Sequence, residues 1–249
     1  MHALIVHCHP EPGSFNGALK DIAVRTFRRL GHSVEVSDLY AQRFDPAEGP
    51  GHFRERADPE YFSAMTEQRH GSEHDGLPED VRREIKRLDR ADLVVFQFPL
   101  WWHAQPAMLK GWFDRVFVYG GMYSGRMRWD RGRYHGRRAI CSVTTGGPAP
   151  TFSRTGRSGA IELLMWPIHC SLYYLGYSVL PPFIAHGIQG GGPVYQAEEA
   201  FRAQLERDKQ RWAQRLEGLE DAQPIPFAGW VDWNEQGLLK AESPASWRP

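Results

Sequence analysis

The stretch VVFQFPLWWHAQPAMLKGWFDRVF, Val94 to Phe117, decides the fold. Val94-Val95-Phe96-Gln97-Phe98 is a short apolar run, the mark of a strand buried on both faces. Pro106 suits a helix start, and beyond it Leu109, Trp112, Phe113 and Val116 recur at helical spacing. A buried strand feeding a helix across a short loop is half of a βαβ unit. The loop itself reads Pro99-Leu100-Trp101-Trp102-His103, with two adjacent indoles where a connection is ordinarily polar.

The same alternation runs outward in both directions. Ala3-Leu4-Ile5-Val6 is a buried strand ending at His9-Pro10, and Leu19, Ile22, Ala23, Phe27 and Leu30 mark a helix closed by Gly31. Ser33 to Leu39 alternates as a second strand. Asp45 to Gly76 is a Pro-, Gly- and charge-rich excursion with one helical turn near Glu60–Glu67. Val81, Ile85 and Leu88 give a helix before the central strand. Ala139 to Thr144 is a fourth strand, followed by an apolar helix from Ala160 to Tyr174 interrupted at Pro167. Tyr177 to Ala185 is the fifth strand. Phe201, Leu205, Trp212, Leu216 and Leu219 define a last amphipathic helix.

Strands alternating with helices imply a parallel sheet covered on both faces, with right-handed crossovers. Five strands fit a flavodoxin-like doubly wound α/β sheet over residues 1–221, with residues 222–249 as a C-terminal tail. Such sheets bind ligands beyond the carboxyl ends of their strands, at the switch point.

The 249 residues are 41% hydrophobic, enough for an ordinary core, and Lys+Arg balances Asp+Glu at 30 each. That balance gives no nucleic-acid footprint. The local cluster Arg126, Arg128, Arg131, Arg133 reads as a solvated loop. Three cysteines, Cys8, Cys141 and Cys170, suit buried, reduced thiols in a cytoplasmic protein. No signal peptide or membrane-spanning run is expected. His7-Cys8-His9 has no further ligands close in sequence, so no metal is expected, and no C-x-x-C makes Cys8 a redox nucleophile.

The candidate site is therefore three loops. In His9-Pro-Glu-Pro-Gly-Ser14-Phe15-Asn16, the coming helix N-terminus favours an anion, typically phosphate. Ser14 and Asn16 equally suit a plain helix cap. No G-x-G-x-x-G or P-loop motif occurs. In Thr144-Thr145-Gly146-Gly147, small residues let a flat ligand approach the backbone. In Pro99 to His103, the paired indoles make a stacking wall for a planar ring such as a flavin. Loop N–H groups can face the ring edge that becomes negative on reduction.

These segments resemble the NAD(P)H:quinone oxidoreductase (DT-diaphorase) family, which includes bacterial quinone reductases and the ancillary flavoproteins of potassium-efflux systems. The resemblance lies in LIVHCHPEPGSFNGALK, VEVSDLYAQRFDP, ADLVVFQFPLWWHAQPAMLKGWFDRVF, AICSVTTGGP and LLMWPI, spanning residues 3 to 180. It implies a homodimer, FAD in preference to FMN near the interface, and two-electron, ping-pong reduction of quinones by NAD(P)H. Carried over residue by residue, His9, Ser14, Phe15 and Asn16 hold the FAD phosphates. Pro99, Leu100, Trp101, Trp102 and His103 lie beside the isoalloxazine, and Thr144 to Gly147 with Phe152 hold its other edge. Trp102, Tyr123, Gly125 and Trp129 surround the acceptor, Tyr123 from the partner subunit. His103 and Tyr123 are the candidate catalytic groups. An independent argument for the dimer is the number of large apolar groups, Trp112, Phe113, Met122, Tyr123 and Trp129, around one loop.

Three positions depart from the family pattern. Phe152 and Ser158 stand where a tyrosine and histidine relay charge, and neither can do so. His103 replaces an aromatic ring, and Gly125 replaces a bulky one, which widens the acceptor pocket. The missing relay, with Leu180-Pro-Pro-Phe-Ile-Ala-His186, also fits an alternative: a flavin-binding ancillary subunit of a potassium-efflux-type transporter. A one-electron flavodoxin carrier fits less well, because such carriers are acidic and smaller.

Overall fold

Short β-branched and aromatic runs form the sheet: β1 (His2–His7), β2 (Ser33–Asp38), β3 (Leu93–Pro99) and β4 (Arg138–Thr144). The computed structural model describes residues 1–191 and 194–243. The helices are α1 (Phe15–Arg29), α2 (Ala64–Glu73), α3 (Glu79–Arg90), α4 (Ala107–Val116), α5 (Ile161–Tyr174) and α6 (Glu198–Glu217). These strands pair in parallel, in the order β2-β1-β3-β4, and the last two strands, β5 (Ser178–Val179) and β6 (Phe183–Ala185), both pair with β4 in parallel. This is the doubly wound flavodoxin-like order, with its switch between β1 and β3.

Alternating side chains supply two cores. Ala3, Ile5, Leu93, Val95 and Ile140 pack under Leu19, Ala23 and Phe27 of α1 and Trp212 and Leu216 of α6. Leu4, Val6, Val94, Phe96 and Cys141 pack under α3, α4 and α5. There Phe96 meets Trp112 and Phe113 edge-on at 5.9 and 5.5 Å. The Trp112 indole donates to buried Glu84, which also accepts from Ser37 and Arg87.

Three expectations change. The fifth strand is split, because Pro181 and Pro182 have no N–H to donate to a ladder. The expected turn near residues 60–67 is the ten-residue helix α2, starting later and running longer. Its sequence lacks an apolar period because polar bonds hold it: Glu67 accepts from Arg56 and Ala57, and Gln68 donates to the Asp114 carbonyl. Trp112, Phe113 and Met122 are buried within the single chain, so they give no independent argument for a dimer. The arginine cluster is solvated as expected at Arg126, Arg131 and Arg133, with Arg133 also paired to Asp89 at 2.9 Å, while Arg128 lies over Tyr174 and Trp230.

The tail folds back on the domain. Ile225 donates to the Val179 carbonyl, Tyr173 donates to the Ala228 carbonyl, and Trp230 bonds to Asp130 and to the Arg128 carbonyl. Residues 244–249 of the expected tail lie outside the described residues. Cys8 and Cys141 are buried, and burial pushes the Cys8 thiol up to about 12 and Cys141 higher still. Cys170 is only partly covered. Among the described residues, no helix is long and apolar enough to cross a membrane.

Candidate functional site

The carboxyl ends of β1, β3 and β4 open into one cleft of about 940 Å³. That is near the top of the roughly 300–1,000 Å³ range of small-molecule and cofactor sites. Its first wall is the turn into α1. Ser14 caps the helix by accepting from the Gly17 N–H at 3.1 Å. The N–H groups of Phe15 and Asn16 sit at the helix end, where α geometry supplies no acceptor. A Cβ on Gly17 would lie 2.1 Å from the Pro12 carbonyl oxygen, so only glycine lets this loop fold tightly over the helix start. Glu11 is turned back onto the Gly13 N–H at 2.8 Å. His9 meets Trp101, ring centroids 5.9 Å apart. Among the described residues, the cleft lining carries no Lys or Arg, so an anion there would rely on backbone N–H groups and the helix dipole.

The second wall is the tryptophan loop. Trp101 and Ala104 exchange two backbone hydrogen bonds of 3.0 Å, closing a turn around Trp102 and His103. Both central residues have positive φ, 50° and 62°. Such turns favour Asn-Gly, and side-chain-bearing residues held there cost on the order of 1–3 kcal/mol each. This strain presents Trp102 with 96% of its surface exposed and Trp101 with 41%. The indoles therefore do not plug the sheet end.

The third wall is Thr144 to Gly147. Gln97, on the α1 face of β3, donates to the Asn16 side-chain oxygen at 2.9 Å, and the Asn16 amide donates to the Thr144 hydroxyl oxygen at 2.9 Å. The buried Asn16 is thus a bridge rather than a plain cap residue. The Thr144 hydrogen stays free to donate elsewhere. A Cβ on Gly146 would meet nothing within 4 Å, whereas one on Gly147 would press on Thr151 and Phe152. Beneath this floor, His7, Gln97 and Ser142 stand in register on adjacent strands. Their Nδ1, Oε1 and Oγ atoms are buried without a protein hydrogen-bond partner. Burial lowers the His7 pKa to about 4, partly opposed by Asp38.

The expected residues His9, Ser14, Phe15, Asn16, Pro99, Leu100, Trp101, Trp102, Thr144, Thr145 and Gly146 all line this cleft. Gly147 and Phe152 pack just behind it, and His103 sits exposed at the turn apex. Tyr123 and Trp129 lie elsewhere in the same chain, in an aromatic cluster with Tyr174. Gly125 is exposed, with open space around its Cα. Tyr123 lines a separate groove of about 880 Å³ with Phe113, Phe117, Trp166 and Tyr174. Sequence reasoning missed the cleft's outer wall: Ile188, Gln189, Gly190 and Tyr195, with Phe201 and Leu205 of α6. Phe201 and Leu205 carried a signal, one helical turn apart on the apolar face of an amphipathic helix, which does not say that the face meets a cleft.

Residues 1–216 match the family described as having a flavodoxin-like fold. The chain is 39% identical to the ribosyldihydronicotinamide dehydrogenase [quinone] of Pongo abelii, over 90% of this chain and 94% of that one. It is 37% identical to NAD(P)H dehydrogenase [quinone] 1 of Cavia porcellus, over 96% and 86%. The glutathione-regulated potassium-efflux system ancillary protein KefF of Enterobacter sp. (strain 638) is 33% identical over 53% of this chain and 69% of its own. Among solved structures, a Klebsiella pneumoniae protein described as a quinone reductase superposes with a TM-score of 0.87 at 33% identity, covering 97% of this chain and 95% of that one.

Proposed function

The chain belongs to the NAD(P)H:quinone oxidoreductase family of flavodoxin-like proteins, and from that premise we propose that it is an FAD-dependent NAD(P)H dehydrogenase (quinone). The observation that carries this is the exposed Trp102 on its strained turn, facing the Thr144–Gly147 loop across a cleft that ends at a helix N-terminus. The Phe15 and Asn16 N–H groups and Ser14 would hold the phosphates. Trp101 and Trp102 would stack on the ring, and Thr144 to Gly147 would bind its far edge. Bound there, FAD would accept a hydride at N5 from NAD(P)H and return two electrons to a quinone, in ping-pong order. FAD over FMN follows the family resemblance.

The acceptor side needs a second copy. Tyr123, Gly125 and Trp129 stand outside the cleft of their own chain, and in a homodimer the partner would supply them. The open aromatic groove beside α4 and α5 is the surface available for that contact. The cytoplasm is the matching compartment. The ancillary-subunit alternative draws on a likeness covering about half of the chain, whereas the dehydrogenases match most of it.

The test is a spectrum of the purified protein, chromatography of the released cofactor, and steady-state assays with a benzoquinone and NADH or NADPH. A yellow protein releasing FAD, with parallel double-reciprocal plots and a dimer by light scattering, is expected. Failure to retain or rebind any flavin overturns the proposal. Flavin binding without quinone turnover favours the ancillary role.

A further inference from the structure

One titratable side chain touches the cleft wall from behind. His186 follows β6 directly, and its Nδ1 lies 3.0 Å from the Thr145 hydroxyl oxygen. Its ring packs on Phe152, centroids 5.4 Å apart at 32°. The Gly147 carbonyl, 2.9 Å from the same hydroxyl, can only accept; with the Thr145 hydrogen assigned to it, Nδ1–H is the donor to Thr145. Neutral His186 is then the Nδ1–H tautomer, with its lone pair on Nε2. The same segment clasps the turn by backbone bonds: Thr145 to the Ala185 carbonyl, Gly187 to that of Gly147, and Ile188 to that of Thr145, all 2.8–2.9 Å.

His186 also lines a second cavity, of about 480 Å³, open to solvent. The charged and titratable groups sharing it are Asp208, Arg207 and Arg211 of α6 and Tyr195. The 144–152 side brings only hydroxyls, backbone and a phenyl ring. Burial lowers the His186 pKa; Asp208 opposes this and Arg211 adds to it.

We infer that His186 is a protonatable positioning residue. It fixes the Thr144–Gly147 turn through Thr145, and by gaining a proton at Nε2 it places positive charge behind the wall on which a flavin's electron-rich edge would rest. This rests on the flavin assignment above. The proton comes from solvent through the second cavity when NAD(P)H delivers two electrons to the ring. It returns to solvent when an acceptor removes them, and no covalent bond to carbon changes at His186. The residue thus supplies by another route the charge balance that Phe152 and Ser158 cannot give.

The test is a ¹⁵N-histidine NMR titration of the flavin-loaded protein, oxidised and then reduced with dithionite. Proton uptake per two electrons is counted alongside, with His186→Gln and His186→Phe as variants. The expected result is Nδ1–H in the oxidised protein, a higher His186 midpoint after reduction, and extra proton uptake between the two midpoints. The His186→Gln variant keeps a donor to Thr145 without titrating, so flavin affinity holds while the extra proton disappears. The His186→Phe variant loses the donor and weakens flavin binding about five- to tenfold, the worth of one hydrogen bond. A His186 midpoint that reduction does not move overturns the inference, and this measurement needs no variant to fold. If no flavin binds at all, it is the cofactor assignment beneath it that fails.

Discussion

Replacing Asn16 by leucine tests whether the cleft floor is one connected polar unit. Asn16 is buried, and its amide joins Gln97 to Thr144 through two 2.9 Å bonds. Leucine keeps the volume and removes both. Gln97 is fully buried and its Oε1 already lacks a protein partner, so the substitution strands its NH₂ group too. A stranded buried donor costs about 1–3 kcal/mol and the lost bond to Thr144 about 1 kcal/mol, so destabilisation of about 2–4 kcal/mol is expected. Gln97→Leu alone strands the Asn16 oxygen at about 1–3 kcal/mol. The double variant leaves neither amide unpaired, so its cost falls short of the sum by about 1–2 kcal/mol. Urea denaturation of the four proteins, with m-values held constant, measures the shortfall. Costs that add to within about 0.5 kcal/mol would show that the two amides are energetically independent and that Asn16 is no bridge.

Acid should destabilise the fold before its carboxylates titrate. Burial lowers His7 and His169 to about 4 from an ordinary 6.5. Between those values the native chain binds fewer protons than the unfolded one, so stability is complete above pH 6.5 and falls as pH drops toward 4. Each histidine contributes up to about 3 kcal/mol of that loss. Urea midpoints between pH 7 and 4 check it, and a flat profile refutes it. Trp102→Gly should separate stability from binding: glycine relieves the positive φ and stabilises the chain by about 1 kcal/mol, while the lost stacking weakens flavin binding about three- to tenfold. Thermal melting and flavin-fluorescence titration read the two effects, and a destabilised variant would contradict the strain at this turn.

What the sequence disclosed follows from which forces leave a local pattern. Strands β1, β3 and β4 are buried on both faces, so they read as apolar runs, and their alternation with helices gave the topology and the position of the cleft. The three loops were readable because strand ends in such a sheet point at its ligand. Helix α2 was not, because side-chain bonds from Glu67 and Gln68 stabilise it and hydrophobic spacing does not. Phe201 and Leu205 were read correctly as an apolar helix face, yet periodicity does not say what a face meets: part of this one meets the cleft and part, through Trp212, the core.

The same distinction bears on the positions where the resembled family relays charge. Phe152 and Ser158 follow Gly147 by five and eleven residues, so their inability to move a proton could be read along the chain. His186 lies about forty residues further on and reaches the turn only because β6 pairs with β4, bringing Ala185 beside Thr144. Sheet register is what makes a histidine after β6 a neighbour of Thr145. Compensation for a lost polar group is therefore best sought across the ladder, at positions paired with the affected loop, rather than along the loop itself. On that criterion His186, hydrogen-bonded to the turn and open to solvent behind it, is better placed than the exposed His103 for the role proposed above.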